Sequence, residues 1–121
     1  MVKIIVIDDD HDILETTELI LRANDYEVIS VDNPNDGYNI VKENNPDLII
    51  LDVMMEEPDD GFFLAQKFRR EGITIPILMY TSISKAVGMN FGIGEMVPVD
   101  AFVEKPISSE ELLKKVKFLI K

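Results

Sequence analysis

Short apolar segments rich in isoleucine and valine recur along this chain, and helical patterns separate them. Such segments predict strands that are buried on both faces of a sheet. Five of them are present, at Val2–Ile7, Glu27–Val31, Leu48–Leu51, Ile75–Tyr80 and Ala101–Glu104. Strands that alternate with helices predict an α/β fold in which a doubly wound parallel sheet carries helices on both faces.

The intervening segments have helical signals. An N-cap followed by proline, Asn33-Pro34, predicts a helix to about Asn44, and Gly72 ends another that starts at Gly61. The capping box Ser108–Glu111 opens the last helix. The residues expected to face the core are Ile13, Thr17, Ile20 and Leu21 in the first helix, Phe62, Ala65 and Phe68 in the third, and Leu112, Leu113, Val116, Leu119 and Ile120 in the last. Glycines interrupt residues 82–98, so a short or irregular helix is expected there.

The composition limits what the chain can do. Its 121 residues suffice for one domain, assigned to residues 1–121, and 46% of them are hydrophobic, enough for one core. The absence of cysteine excludes disulfides and a cysteine nucleophile. A net charge of −11 argues against direct nucleic-acid binding, which needs clustered lysine and arginine. No stretch approaches the ~18 apolar residues of a membrane span, so we expect no membrane insertion and a cytoplasmic location.

Reactive or charged side chains follow four of the five predicted strands. In a parallel α/β sheet, ligands bind beyond the carboxyl ends of the strands, near the point where the strand order reverses. The strands lead, in turn, into Asp8-Asp9-Asp10, Asp52, Thr81-Ser82 and Lys105-Pro106. We therefore expect these strand ends to form one functional site.

Each of these residues has an ordinary structural explanation when it is considered alone. Aspartates are common at helix N-termini and turns, and the Thr81 hydroxyl could simply bond to backbone. Lys105 alone would be taken for a surface lysine. His11, the only histidine, is expected to be exposed at the start of the first helix.

The strand-end residues are more informative together than any one of them is alone. The sheet is expected to bring Asp8, Asp9 and Asp52 together, and two carboxylates ~4 Å apart repel by ~4 kcal/mol at an effective dielectric of ~20. That is large beside the ~5–15 kcal/mol total stability of a domain. A divalent cation relieves the repulsion, and an all-oxygen ligand set points to magnesium, manganese or calcium.

An anion is the expected third component of the site. Magnesium usually keeps positions open for water and a phosphate oxygen, and Lys105 and the Thr81 hydroxyl are suitable donors to the other oxygens. The sequence lacks a glycine-rich nucleotide-binding loop. A carboxylate such as that of Asp52 is itself a competent nucleophile towards phosphorus and forms an aspartyl phosphate.

Taken together, four motifs closely resemble the receiver domains of two-component response regulators, over essentially the whole chain. They are Ile5-Val6-Ile7-Asp8-Asp9-Asp10, Leu51-Asp52-Val53-Met54-Met55, Tyr80-Thr81-Ser82 and Phe102-Val103-Glu104-Lys105-Pro106. The resemblance implies a flavodoxin-like, five-stranded parallel sheet in the order 2-1-3-4-5. It also implies a cytoplasmic signalling switch rather than an enzyme. A histidine kinase or phosphotransfer protein would supply the phosphoryl group, and an unidentified downstream protein would read the switch.

The resemblance also implies a role for each site residue. Asp52 would be the phosphoacceptor and, with Asp9 and the Met54 main-chain carbonyl, a direct magnesium ligand; manganese is the alternative cation. Asp8 would contact the metal through water. The other implied roles belong to Lys105, which would pair with the phosphoryl group, to Thr81, which would bond to a phosphoryl oxygen, and to Phe102, the aromatic switch residue. The Lys105-Pro106 bond would be cis.

The sequence departs from the family pattern at four places. The segment Glu56–Gly61 makes the loop one residue longer, with a glutamate where proline is usual, and Phe102 lacks the hydroxyl of the commoner tyrosine. Met54 and Ile83 stand where relatives carry polar residues, which predicts slower attack by water and a longer phosphoryl lifetime. Residues 82–100 are more numerous and richer in glycine than usual, so the output partner cannot be copied from relatives.

Two alternatives stay open. A magnesium-dependent phosphohydrolase would usually carry an acid/base aspartate two residues after the nucleophile, where this chain has Met54. A receiver-like interaction module that is never phosphorylated is the second alternative, and the intact set of Asp8, Asp9, Asp52, Thr81 and Lys105 argues against it.

Overall fold

The computed structural model of the chain describes residues 1–53, 55, 60–82, 99–105 and 108–120, and at positions 81, 82, 104 and 105 it describes the backbone. These residues form five strands and four helices. In chain order they are β1 (Lys3–Ile7), α1 (His11–Arg22), β2 (Glu27–Val31), α2 (Pro34–Asn44), β3 (Leu48–Asp52), α3 (Asp60–Arg70), β4 (Ile77–Ser82), β5 (Ala101–Lys105) and α4 (Ser109–Ile120).

The five strands form one parallel sheet in the order β2-β1-β3-β4-β5. This order confirms the predicted flavodoxin-like, doubly wound architecture. The chain leaves β1 to add β2 on one side and then returns to add β3 on the other. The strand order therefore reverses between β1 and β3, which is where such folds bind ligands.

Alternation of the strand side chains sorts the core into two layers. The continuous apolar runs supply both layers, because successive residues of a strand point to opposite faces. One face packs on α2 and α3 and includes Ile5, Ile7, Ile49, Leu51, Ile77 and Met79. The other packs on α1 and α4 and includes Ile4, Val6, Leu48, Ile50, Leu78 and Tyr80. Helices therefore cover both faces of the sheet, as predicted.

Helix phase differs slightly from the prediction. The buried residues of α1 are Leu14, Thr17 and Leu21, whereas Ile13 and Ile20 lie half-buried beside them. In α3 the unpredicted Leu64 is buried with Ala65 and Phe68, and Phe62 is half-buried. In α4, Leu112 and Val116 are buried, while Leu113, Leu119 and Ile120 pack at the margin of the core. The sequence shows a wide apolar stripe on each helix but not which residues of the stripe are buried most deeply. Contact with the sheet decides that.

Strand β4 begins two residues later than predicted and extends to Ser82. The Arg69 guanidinium explains the later start, because it donates hydrogen bonds of 2.9 Å to the carbonyl oxygens of both Ile73 and Ile75. Ile75 therefore bonds to a side chain rather than to a neighbouring strand. Pairing of β4 with β3 starts at Ile77, which lies opposite Ile49.

The residues predicted to cap or end helices have those roles where they fall within the described residues. The Asn33 side chain accepts a hydrogen bond of 2.8 Å from the Asp36 amide, and Pro34 occupies the first turn of α2. The Ser108 hydroxyl likewise accepts from the Glu111 amide. Gly72, two residues after the end of α3, has a φ of 81°, a left-handed conformation that favours glycine. The irregular helix predicted within residues 82–98, and the peptide bond to Pro106, fall outside the described residues.

The four helices within the described ranges are 11 or 12 residues long. None of these helices has both the length and the apolar character needed to cross a bilayer.

Candidate functional site

The candidate site lies where the carboxyl ends of β1 and β3 meet. Ile7 is paired with Leu51 in the parallel register, so the next residue of each strand, Asp8 and Asp52, follows at the same level of the sheet. This edge is also the point where the strand order reverses. Two adjacent hydrophobic strands thus deliver two carboxylates to the place where a doubly wound sheet binds its ligand.

Three carboxylates converge at this edge. One carboxylate oxygen from each of Asp8, Asp9 and Asp52 lies within 4.8 Å of the others. Asp52 is 1% exposed and Asp8 is 2% exposed, whereas Asp9 is exposed to solvent. The cluster is therefore a buried pair of carboxylates that reaches solvent on the side of Asp9.

Hydrogen bonds through its backbone and its side chain hold Asp8 in place directly after β1. The Asp8 amide donates to the Val31 carbonyl over 3.0 Å, and the Asp8 carboxylate accepts a hydrogen bond of 2.9 Å from the Asp10 amide. Asp10 in turn caps α1, accepting hydrogen bonds from the amides of Asp12 and Ile13. Asp10 is thus occupied by the helix N-terminus, and Asp8 and Asp9 are the members of the triplet that face Asp52.

Gly61 fixes the start of α3 against the end of β3. Its amide donates a hydrogen bond of 2.7 Å to the carbonyl of Val53, the residue after Asp52. A Cβ atom at position 61 would overlap the Asp52 carbonyl oxygen and would lie 2.7 Å from the Val53 Cα. This close approach therefore requires glycine, and it sets the backbone of Asp52 against a rigid helix.

The other predicted site residues lie on the neighbouring strands. Thr81 lies opposite Glu104, and Ser82 lies opposite Lys105, at the carboxyl ends of β4 and β5. Their backbone positions are at the same edge of the sheet as the acidic cluster. Met54, the predicted third metal ligand, and Ile83 fall outside the described residues.

Phe102 packs near the cluster of core residues under α3. It is half-buried in β5, and its ring centroid lies 6.5 Å from that of Phe62 in α3, with the two rings tilted by 55°. Phe102 pairs with Met79 of β4, and its own strand, β5, is the edge strand on the β3 side of the sheet. The residue predicted as an aromatic switch thus contacts the helix that Gly61 joins to β3.

The acidic cluster fits a hard divalent cation. Two carboxylates closer than 4.8 Å repel by at least about 3 kcal/mol at an effective dielectric of about 20. Carboxylate oxygen is the ligand type that magnesium and manganese prefer, and the described cluster contains neither histidine nor cysteine. Burial of Asp8 and Asp52 strengthens the attraction for a cation, since solvent screens buried charges less.

His11 lies at the rim of this region and is exposed, as predicted. Its side chain is 76% exposed, and its Nε2 lies 3.1 Å from an Asp32 carboxylate oxygen. Hydrogen bonds from Asn33 and then from His11 hold the pKa of Asp32 below its ordinary value. The pair joins the start of α1 to the residue that follows β2.

Three features of the site could not be identified from strand ends alone. The capping role of Asp10 had a signal, because an aspartate directly before a helical pattern is a typical N-cap. Gly61 also had one, as a glycine at the start of a helix after a strand-end aspartate. The contact of Phe62 with Phe102 had no local signal, since the two residues are far apart in the sequence.

Comparison with known proteins gives a consistent result. The family model described as "Response regulator receiver domain" matches residues 4–117. The fold is similar to that of the chemotaxis protein CheY4 of Vibrio cholerae, with a TM-score of 0.82, 27% identity and coverage of 98% of each chain. It is also similar to a putative response regulator of Chloroflexus aurantiacus, with a TM-score of 0.81 and 29% identity over 98% of this chain and 96% of that one.

A third solved structure has a similar fold. The CheY-like response regulator receiver domain protein of Methanospirillum hungatei is 25% identical to this chain, with a TM-score of 0.82. The match covers 99% of this chain and 94% of that one. Each of these chains is nearly coextensive with the present one.

Proposed function

The chain belongs to the response regulator receiver domain family, and from that premise we propose that it is a cytoplasmic switch phosphorylated on Asp52. The observation that carries the proposal is the buried Asp52 carboxylate, within 4.8 Å of two further carboxylates at the switch point of the sheet. The proposed phosphoryl donor is a histidine kinase or a phosphotransfer protein. Receiver domains are signalling switches, and the partner that reads this one is a downstream protein.

Magnesium is the cation we propose for the acidic cluster, with manganese as the alternative. Asp9 and Asp52 would hold it directly, together with the Met54 carbonyl, and Asp8 would contact it through water. When bound, the cation supplies charge neutralisation for the cluster and for the phosphoryl oxygens.

Asp52 is the proposed nucleophile. One of its carboxylate oxygens attacks phosphorus in line with the bond to the donor, that bond breaks, and the donor leaves with its electron pair. Positioning by β3 and Gly61 holds the Asp52 backbone at this edge before the donor arrives. Lys105 is proposed to neutralise the phosphoryl group, and Thr81 to donate a hydrogen bond to one of its oxygens. Phe102 would move inward with Thr81.

Phosphorylation with a small-molecule donor tests the proposal. Incubation with acetyl phosphate and magnesium should add one phosphoryl group, detected by intact-protein mass spectrometry. Asp52→Asn should abolish the addition, because an amide is not a competent nucleophile. Asp12→Asn is the matched control, since Asp12 is an exposed aspartate whose side chain lies outside the cluster. Equal labelling of wild type and Asp52→Asn would contradict the assignment of Asp52.

A further inference from the structure

A groove between α2 and α3 lies outside the acidic cluster. Its volume is about 360 Å³, and none of the three clustered aspartates lines it. We call it the α2–α3 groove and define it by six of its residues, which are Pro34, Tyr38, Phe63, Leu64, Lys67 and Arg70. Both helices that form it pack on the same face of the sheet, so their relative positions are fixed by the core.

An exposed aromatic side chain lines this groove. Phe63 is 59% exposed, although its neighbours Leu64 and Ala65 are buried in the core. Opposite it on α2, the Tyr38 ring is stacked on Phe68, with centroids 6.1 Å apart and an interplanar angle of 12°. The groove therefore offers one solvated aromatic side chain next to an aromatic ring that is already ordered.

Two cations, Lys67 and Arg70, and one carboxylate, Asp60, line the same groove, so its lining is net positive in a chain whose net charge is −11. Lys67 and Arg70 follow Phe63 by four and seven residues, so the three side chains share one side of α3. The Lys67 Nζ lies 3.9 Å from the centre of the Tyr38 ring. Within the part of the chain that the structure describes, neither Lys67 nor Arg70 forms an ion pair.

The neighbouring cations differ in this respect. Lys42 is paired with Glu71 over 3.1 Å, and Arg69 is paired with Asp100 over 2.9 Å. The helix dipole accounts for cations in the last turn of α3, but it does not account for a solvated phenylalanine one turn earlier. An exposed aromatic side chain flanked by cations that form no ion pair within the described residues is typical of a protein interface, where aromatic and arginine side chains are enriched.

We propose that the α2–α3 groove is a docking surface for an acidic segment of a partner protein. An apolar side chain of that segment would pack against the exposed Phe63, and its carboxylates would pair with Lys67 and Arg70. Charge complementarity is the argument for an acidic occupant, because the two cations of this groove outnumber its one carboxylate, Asp60, in a chain whose net charge is −11. The inference goes beyond phosphorylation of Asp52 and does not depend on it.

Selection from random peptides tests this inference. Displayed peptides of about 12 residues, long enough for one groove-binding segment, are selected on the wild-type chain, and enriched peptides are synthesised with a fluorescent label. They should combine acidic residues with an aromatic or aliphatic side chain. Fluorescence anisotropy should show that Phe63→Ser weakens binding about tenfold, as expected for the loss of a central anchor. The double variant Lys67→Glu/Arg70→Glu should weaken it at least as much, and salt should weaken binding to the wild type.

Matched controls come from α4. Phe118 is 66% exposed, so Phe118→Ser removes an equally solvated phenylalanine from a different surface. Lys114→Glu reverses one charge there. Both controls should bind the selected peptides as the wild type does, and circular dichroism should show that all variants fold. Absence of enrichment, enrichment of basic peptides, or equal weakening by the α3 and α4 variants would overturn the proposal.

Discussion

The aromatic rings of Phe62 and Phe102 lie 6.5 Å apart, centroid to centroid, and are tilted by 55°. Phe62 belongs to the first turn of α3, which Gly61 ties to the end of β3, and Phe102 belongs to β5. The contact therefore links the strand that carries Asp52 with the strand that carries the proposed aromatic switch.

A double-mutant cycle measures this contact. Tilted aromatic pairs contribute about 0.5–1.5 kcal/mol beyond the area that they bury, so Phe62→Ala and Phe102→Ala should show a coupling energy in that range. Urea unfolding of the wild type, the single variants and the double variant provides the four values. The pair Phe63→Ala and Phe102→Ala is the control and should be additive. Additive effects at Phe62 and Phe102 would show that the two rings do not interact in solution.

Magnesium should stabilise the folded chain. At ~100 times the dissociation constant, a ligand that binds the folded state alone adds about 2.7 kcal/mol to the free energy of unfolding. Thermal melts with and without magnesium should show this gain in the wild type. The gain should largely disappear in Asp9→Asn, where an exposed cluster carboxylate is lost, and should persist in Asp12→Asn. An undiminished gain in Asp9→Asn would place the magnesium elsewhere.

Arg69 is expected to be a major contributor to stability. Its half-buried guanidinium donates to the carbonyl oxygens of Ile73 and Ile75 and pairs with the Asp100 carboxylate, which also accepts from the Ile77 amide. A hydrogen bond to a charged group contributes ~1.5–3 kcal/mol, and water can replace part of the bonding lost at this partly exposed position. Arg69→Met should therefore lower the free energy of unfolding by about 2–3 kcal/mol.

The adjacent arginine offers the control for that prediction. Arg70 is exposed on the outer side of the same helix turn, and Arg70→Met should change the free energy of unfolding by less than about 0.5 kcal/mol. Denaturant unfolding at one pH compares the two variants. Similar losses for both would indicate a general effect of charge on α3 rather than the Arg69 hydrogen bonds.

The link between α2 and α3 should depend on pH through Glu71. The Tyr38 hydroxyl donates to both Glu71 carboxylate oxygens, at 2.7 and 2.6 Å. This hydrogen bond, and secondarily one from Lys42, lowers the pKa of Glu71 below its ordinary value of 4.5. Ionised Glu71 is thus favoured by folding. Its contribution is fully present above the ordinary pKa and disappears as the pH falls through the lower pKa of the folded state.

Tyr38→Phe tests this dependence because it removes the hydroxyl and keeps the ring. The variant should melt at a lower temperature than the wild type at pH ~7, and the difference should shrink as the pH falls below the ordinary pKa of a glutamate. Tyr26→Phe, which changes a half-buried tyrosine beyond the end of α1, should show no such convergence. A difference between Tyr38→Phe and wild type that is constant with pH would exclude the hydrogen bond as its cause.

Much of the fold followed from local patterns. The isoleucine and valine runs predicted the strands, and because the side-chain period of a strand is two, those same runs supplied both layers of the core. The placement of Asp8 beside Asp52 followed from parallel pairing, which aligns the carboxyl ends of strands. Local chemistry also sufficed for the caps at Asn33 and Ser108.

The remaining features depend on contacts between distant parts of the chain. The start of β4 depends on the Arg69 guanidinium, and nothing in the Ile75-Pro76-Ile77 sequence indicates that a side chain will bind the Ile75 carbonyl. Likewise, Leu14 and Leu64 belong to wide apolar stripes whose central line is decided by the sheet. The roles of Thr81, Lys105 and the clustered aspartates stay predictions until phosphorylation and metal binding are measured.

The hydrogen bond from Gly61 to Val53 has a consequence for the evolution of this fold. The two bonded residues lie on either side of the connection between β3 and α3. This bond therefore holds the strand end and the helix start together, whichever residues lie between them. The entropic cost of closing a loop grows only slowly with its length. A change in the number of residues between positions 53 and 60 would therefore leave the scaffold around Asp52 in place, and relatives of this chain could differ there without redesign of the sheet edge.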